Sequence, residues 1–195
     1  MIVTTAMLMD QLRGYGDPAG KIMRMERDQE IYRLTRGLYE TDKSVPGYCL
    51  AGAIYGPSYL SFEYVLSYYG IIPEAVYSFT SATYGKKKAK VYENTFGRFL
   101  YHDVPADVYP FDIMIKEENG YIYQIASPEK ALCDKLYIMP PVTSQREIEK
   151  MLFEDLRIDT EEFARLDLSG ILSIGDRYHS NNLKYLMKYI RRNAE

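Results

Sequence analysis

The spacing of apolar side chains sets a short N-terminal segment apart from the rest of the chain. In residues 5–13, apolar side chains recur along one helical stripe, which Gly14-Tyr15-Gly16 interrupts. Asp17-Pro18 then favours a new helix start, because aspartate accepts hydrogen bonds from free backbone N–H groups and proline is pre-set for the first turn. The pattern predicts a second helix ending near Arg27, then a small hairpin in residues 30–39.

From about residue 48 the pattern changes to longer apolar and aromatic runs. An apolar run covers residues 48–54, and Ser58 favours the start of a helix that runs to Tyr69 and ends at Gly70. Four runs rich in β-branched and aromatic residues predict strands, which span residues 75–81, 98–104, 111–116 and 121–126.

The last third of the chain carries helix signals. Ser127-Pro128-Glu129 combines a capping side chain, a proline at the first position and a carboxylate near the positive helix end. Ser144-x-x-Glu147 and Asp159-x-x-Glu162 are typical of capping boxes. A final helix is predicted for residues 181–192, with one apolar side formed by Leu183, Leu186, Met187 and Ile190.

These elements predict an α+β protein with two parts. Residues 1–43 form an abbreviated winged-helix-like module, with two helices followed by a hairpin. Residues 44–195 form a mixed α/β domain whose C-terminal part is helical. The boundary lies at the polar stretch that ends at Ser44.

Composition and charge narrow the class of protein. The chain is 47% hydrophobic and 26% charged, which is ordinary for a globular protein, and its net charge of −3 excludes a polycation. Cys49 and Cys133 each lie in an apolar stretch and are expected to be buried thiols. No apolar run reaches the ~20 residues of a membrane span, and the first residues lack a basic secretion signal. We therefore expect a cytoplasmic protein without a membrane partner.

The residues that a catalytic centre requires do not form a motif. His102 and His179 are far apart in sequence and have no metal-ligand spacing with cysteine or carboxylate. Residues 85–88 lack the leading glycine and the hydroxyl of a phosphate-binding loop, and no Glu-x-Lys occurs. We therefore predict no catalytic residue, no metal ligand and no cofactor. A nuclease-like enzyme remains an alternative, with scattered carboxylates at Glu63, Asp112, Glu129 and Asp134.

Basic side chains in the N-terminal module form a candidate DNA-binding surface. Lys21, Arg24 and Arg27 recur every third residue of the second predicted helix and share one broad face. Arg33 and Arg36 lie in the hairpin that follows, where a wing would contact the DNA backbone. The alternative is a solvated helix face, since residues 1–43 contain seven basic and seven acidic side chains.

Two further groups of basic residues are candidate contacts for a protein partner or nucleic acid. The first comprises Lys86, Lys87 and Lys88, in a loop that connects strands. The second lies on the exposed side of the last helix and comprises Lys184, Lys188, Arg191 and Arg192. Each group is also typical of a solubilising surface.

Several strings, in a fixed order, resemble those of one protein family. Arg36-Gly37-Leu38-Tyr39-Glu40 closes the N-terminal module. The most specific strings come later and are Pro57-Ser58-Tyr59-Leu60-Ser61-Phe62-Glu63 and Ser127-Pro128-Glu129-Lys130-Ala131-Leu132, with Asp134 after the second. Together they resemble the AbiE-type antitoxin family of bacterial type IV toxin–antitoxin systems, over roughly residues 30–140.

The resemblance implies an N-terminal winged helix that represses the operon and a C-terminal domain that counteracts a nucleotidyltransferase-like toxin. It also implies a role in defence against phage, and antitoxin and toxin need not form a stable complex. The chain departs from the full winged helix, which has three helices before its wing. A DNA-binding transcriptional regulator without antitoxin activity is the main alternative. A homodimer fits either function, since operators often consist of paired half-sites.

Overall fold

The N-terminal segment consists of a small three-stranded sheet and two helices that follow its first strand. The computed structural model describes residues 1–193 of the chain. Its first five elements are β1 (Ile2–Thr4), α1 (Thr5–Gln11), α2 (Pro18–Arg27), β2 (Tyr32–Thr35) and β3 (Leu38–Glu40). The two predicted helices and the hairpin are confirmed. Strand β1 was not predicted from the sequence, and it pairs antiparallel with β3, so that the sheet order is β1-β3-β2.

This segment has a small hydrophobic core of its own. The core is formed by Val3, Leu8, Leu12, Ile22, Ile31 and Tyr39. The carboxylate of Asp17 accepts a hydrogen bond from the Gly20 N–H group at 2.9 Å, which caps α2 as its sequence predicts. Leu34 instead belongs to the larger core of the remaining chain, and thereby fastens the hairpin to it.

The middle of the chain supplies a mixed sheet and two helices. In chain order the elements are α3 (Gly47–Ile54), β4 (Tyr59–Leu60), α4 (Phe62–Tyr68), β5 (Phe79–Thr83), β6 (Lys90–Asn94), β7 (Gly97–Asp103), β8 (Ile113–Glu118) and β9 (Tyr121–Ala126). The sheet has the order β6-β7-β5-β4-β9-β8. Strand β4 pairs parallel with β9, and β5 pairs parallel with β7, whereas the other neighbours are antiparallel.

The C-terminal part is helical, as its capping signals predict. It contains α5 (Pro128–Ile138), α6 (Gln145–Lys150) with a π-helical continuation (Met151–Asp155), α7 (Thr160–Arg165), α8 (Leu168–Gly175) with a short 3₁₀ turn (Asp176–Tyr178), and α9 (Asn181–Asn193). Ser127, Ser144 and Asp159 each accept a backbone hydrogen bond at a helix start. The apolar side of α9 is buried, which confirms the prediction for this helix.

Three details of the middle region differ from the sequence prediction. The predicted helix start at Ser58 is wrong, because residues 59 and 60 form a strand and the helix begins at Phe62. The helix end is correct, and Gly70 adopts a φ of +71°. Residues 48–54, for which only an apolar run was noted, form helix α3, and strand β6 was not among the predicted strands.

The larger core joins the sheet to helices α3 to α9. Leu60, Phe62, Phe99, Ile125 and Leu132 are each at most 1% exposed. Cys49 and Cys133 are free and buried, as expected from their apolar surroundings. Among residues 1–193, no helix combines the length and the apolar character that crossing a membrane requires. The architecture is therefore α+β, with a mixed sheet at the centre of the larger core.

Candidate nucleic-acid interface

Helix α2 presents a solvent-exposed side that combines basic and apolar residues. Ile22 faces the small core and is 5% exposed, whereas Met23 is 70% exposed. Met23, Arg24 and Arg27 line a shallow groove of about 400 Å³ together with Gly20. The structure therefore brings two of the three predicted helix residues to one groove.

Carboxylates of the same module accompany most of the predicted DNA-binding residues. The Lys21 ammonium lies 3.6 Å from a Glu30 carboxylate oxygen, and the Arg24 guanidinium lies 3.8 Å from Asp17. The Arg27 guanidinium donates to the adjacent Asp28 at 2.8 Å. These pairs are partly or largely exposed to solvent, where ion pairs contribute little to stability. A phosphate group can therefore compete for the same cations.

The hairpin is tied to α2 through Arg33. Its guanidinium donates two hydrogen bonds to the carboxylate of Glu26, at 2.8 and 2.5 Å. This hydrogen bonding lowers the pKa of Glu26 and raises that of Arg33. The Arg33 guanidinium also lies 5.3 Å from the centre of the Tyr39 ring. Arg33 is thus held against the module by two contacts.

Arg36 lies in the turn between β2 and β3 and is exposed. Within the part of the chain that the structure describes, it forms no ion pair. The adjacent Gly37 has a φ of +78°, which suits the tight turn. Of the five predicted DNA-binding residues, Arg36 is therefore the one whose charge is not compensated inside the module.

A second cavity separates the module from the turn between β6 and β7. It measures about 420 Å³, and its wall includes Arg27, Arg33 and Lys43 on the basic side and Glu26 and Glu93 on the acidic side. Lys43 was not predicted as a contact residue, since the segment after the hairpin has no periodic pattern. The mixed charge of this wall makes it a weaker anion site than the α2 face.

The three loop lysines occupy the connection between β5 and β6. The Lys86 ammonium donates to the Gly56 carbonyl at 3.2 Å and lies 5.3 Å from the centre of the Tyr55 ring. Lys87 and Lys88 are exposed. Lys86 is therefore anchored to the residues that follow α3, and of the three lysines only Lys87 and Lys88 are exposed to solvent.

The basic residues of α9 form one exposed stripe. Lys184, Lys188, Arg191 and Arg192 are exposed and follow the helical repeat, and residues 181–193 contain no acidic side chain. No ion pair involves these four residues among residues 1–193. The Lys188 ammonium lies 5.2 Å from the centre of the Tyr185 ring. This stripe is on a different element from the N-terminal basic residues.

A buried polar network connects the two most specific strings of the family resemblance. The carboxylate of Asp134 accepts hydrogen bonds from Tyr59 at 2.9 Å, Ser61 at 2.7 Å and Tyr178 at 2.6 Å. Lys130 donates to Tyr178 at 2.9 Å and to the Val108 carbonyl at 2.7 Å. This network was not predicted from the sequence, although Lys130 and Asp134 have the spacing of an ion pair on one helix face.

The four scattered carboxylates of the nuclease alternative have separate partners. Glu63 forms an ion pair with Lys135, Glu129 accepts the backbone N–H of Asp167 at 3.0 Å, and Asp134 belongs to the buried network. Asp112 is exposed before β8. Across residues 1–193, no three His, Cys, Asp or Glu side chains are grouped so that they could hold a metal ion.

No protein-family model matches the chain, and no curated protein matches it.

Proposed function

We propose that this protein is the antitoxin of a bacterial type IV toxin–antitoxin system, which counteracts a nucleotidyltransferase-like toxin in the cytoplasm and represses its own operon. The observation that carries the proposal is the hydrogen bonding of Tyr59 and Ser61 to Asp134. Tyr59 and Ser61 belong to the first of the two most specific strings of the resemblance, and Asp134 follows the second string by two residues. Their contact supports the view that the strings define one common scaffold.

The arrangement of the N-terminal module supports the repressor part of the proposal. Strand β1 comes first, two helices follow, and the β2–β3 hairpin closes the sheet by pairing β3 with β1. This order supports the proposal of a winged helix-turn-helix that lacks its first helix. On this proposal α2 is the recognition helix, and Arg36, in the turn between β2 and β3, is at the tip of the wing.

The charges of the module determine the kind of DNA binding to expect. Four of the five predicted contact residues have carboxylates nearby, so the module attracts phosphate weakly at a distance. Binding then depends on contacts that α2 makes inside the major groove of the DNA. Met23 and Arg24 are exposed on this helix and are available for such contacts. We expect a specific repressor with modest affinity for non-specific DNA.

The decisive experiment measures bacterial growth while the product of the adjacent toxin gene is induced. Co-expression of the full chain is expected to restore growth. Failure to restore growth, with the toxin verified as active and the protein as soluble, would reject the antitoxin proposal.

A second measurement separates protection from repression. The double variant Arg24→Ala, Arg36→Ala is expected to lose binding to its promoter DNA and to retain protection. Arg165→Ala is a matched control, because Arg165 is an exposed arginine on α7 that is paired with Glu162. Promoter binding without protection would favour the transcriptional regulator without antitoxin activity.

A further inference from the structure

Strand β8 is an open edge of the six-stranded sheet. It pairs only with β9, which leaves the backbone groups along its other side without a strand partner in the described chain. The opposite edge is different, because β6 lies beside the N-terminal module. There, the side chain of Asn94 donates to the Leu34 carbonyl at 3.0 Å. The two edges of the sheet therefore differ in how they are covered.

An apolar strip lies along this open edge. Ile115 is 71% exposed and Ile122 is 69% exposed. Ile115 is opposite Gln124, and Ile122 is opposite Glu117, so both isoleucines lie on the same face of the sheet. The other face at this end is covered, since Tyr123 is buried against Tyr48 with 5.3 Å between their ring centres.

The charged residue that would ordinarily protect this edge is directed elsewhere. The Lys116 ammonium donates to the Tyr68 hydroxyl at 3.1 Å and lies 4.8 Å from the centre of that ring. Lys116 is opposite Tyr123 and therefore points to the covered face. Exposed lysines commonly prevent edge-to-edge association, and here Lys116 does not face the apolar strip.

We propose that β8 pairs antiparallel with β8 of a second copy of this chain, with Ile115 at the two-fold axis. A two-fold axis normal to the sheet places the same face of both copies on the same side of the joined sheet. A residue of one copy can therefore be opposite only a residue that lies on the same face in the other copy. The pairing must therefore be centred on a residue rather than between two residues.

Charge and length select one register among those that this rule allows. Centring on Lys116 or on Glu117 places identical charges directly opposite each other, which is unfavourable. Centring on Met114 leaves few residues of the strand paired, since β8 begins at Ile113. Centring on Ile115 pairs residues 113–117 of both copies without opposing like charges, and the acidic Glu118 and Asp112 meet only beyond these residues, at the strand ends.

This register joins the two six-stranded sheets into one and aligns the isoleucines. Ile122, Ile115 and the same two residues of the second copy form a continuous apolar row on one face. Strand pairing of this length buries less surface than a standard protein–protein interface. We therefore expect a dissociation constant of the dimer in the micromolar range. The inference is independent of the antitoxin function, which a monomer could also perform.

The first test measures the molar mass of the full chain as a function of concentration. We expect a transition from 22.6 kDa to twice that value through the micromolar range. Ile115→Glu places two carboxylates opposite each other and should raise the dissociation constant by about tenfold or more. Val91→Glu is the matched control, because Val91 is 55% exposed on the other edge strand and its substitution should leave association unchanged.

The second test locates the axis by disulfide formation. Ile115→Cys should form a cross-linked dimer under mild oxidation, because directly opposite residues have Cα atoms within disulfide range. Glu117→Cys should not, since its copy lies four strand residues away, about 13 Å. Cys49 and Cys133 are buried and leave the background low.

Three results would overturn the inference. They are a monomer throughout the micromolar range, a dimer that Ile115→Glu does not weaken, and equal cross-linking at positions 115 and 117. If the backbone N–H groups of β8 are protected from hydrogen exchange only when the toxin is present, the surface binds the toxin and not a second copy.

Discussion

The ammonium of Lys130 lies 3.3 Å from the carboxylate of Asp134, one helical turn further along α5, and neither side chain is exposed to solvent. Isolated charges are very costly in such a position. Both oxygens of Asp134 accept hydrogen bonds, from Tyr59, Ser61 and Tyr178. The pair is therefore compensated by partners from β4, from Ser61 just after it, and from the 3₁₀ turn after α8.

Removing one member of this pair should destabilise the protein strongly. Lys130→Met leaves the carboxylate of Asp134 buried without its counter-charge, and we expect a loss of about 3–5 kcal/mol in the free energy of unfolding. Urea denaturation followed by circular dichroism measures this loss. Lys135→Met removes the ammonium of a partly exposed pair with Glu63 and should cost about 1 kcal/mol or less.

The double variant Lys130→Met, Asp134→Leu tests the coupling directly. Because it removes both charges, its destabilisation should be smaller than the sum of the two single effects. Additive single effects would show that the two charges do not stabilise each other.

Asn182 holds the start of α9 to the segment between α5 and α6. Its amide donates to the Leu136 carbonyl at 2.8 Å and to the Pro140 carbonyl at 3.1 Å, and its oxygen accepts the Val142 N–H at 2.7 Å. Asn182→Ala leaves these buried groups without a partner and should cost about 1–3 kcal/mol. Asn181→Ala, at the exposed neighbouring position, is the control in the same denaturation assay.

The stability of the fold should depend on pH through His102. Burial lowers the pKa of His102 from its usual value of 6.5, and the nearby carboxylate of Glu63 partly offsets this effect. The unfolded chain therefore binds a proton that the folded chain does not, so stability should fall as the pH decreases below about 6.5.

Replacing this imidazole should remove its share of the acid sensitivity. We expect His102→Gln to lose less stability than the original chain between neutral and mildly acidic pH, as measured by urea midpoints on both sides of 6.5. Other titrating groups are common to both proteins, so the difference isolates His102. Parallel pH profiles would contradict the prediction.

The carboxylate of Glu26 should oppose DNA binding by competing for Arg33. Glu26→Gln removes this competition and a negative charge from the proposed interface, so binding to promoter DNA should become several-fold tighter and depend more steeply on salt. Fluorescence anisotropy at several salt concentrations measures both effects.

Glu161→Gln is the matched control for the Glu26 variant, since Glu161 is an exposed glutamate on α7. The affinity of this control for promoter DNA should not change. Unchanged affinity for Glu26→Gln as well would mean that Arg33 does not contact DNA.

Local signals in the sequence predicted the elements that are stabilised by near neighbours. Asp17 caps α2, Ser127 caps α5 and Gly70 ends α4, each through contacts within a few residues. The apolar side of α9 was also correct, because helical periodicity alone directs these residues to the core. These local features are sufficient to predict the α+β class without information on contacts between distant segments.

Elements that depend on distant partners were not predictable in this way. Strand β1 exists because it pairs with β3, and the two residues of β4 are extended because they lie between β5 and β9. Residues 59 and 60 were assigned to a helix, since Ser58 resembles a cap and the sequence does not reveal the strands on either side.

The sequence by itself determined which side chains are basic, where the capped helices α2, α5, α6 and α7 begin, and that both thiols are buried. Only the tertiary structure decided which of these charges are compensated. It placed carboxylates beside Lys21, Arg24, Arg27 and Arg33, left Arg36 exposed without an ion pair in the described chain, and enclosed Lys130 and Asp134. The physical reason is that periodicity and capping act within one element, whereas the pairing of Glu26 with Arg33 and the burial of Lys130 and Asp134 depend on how separate elements pack against each other.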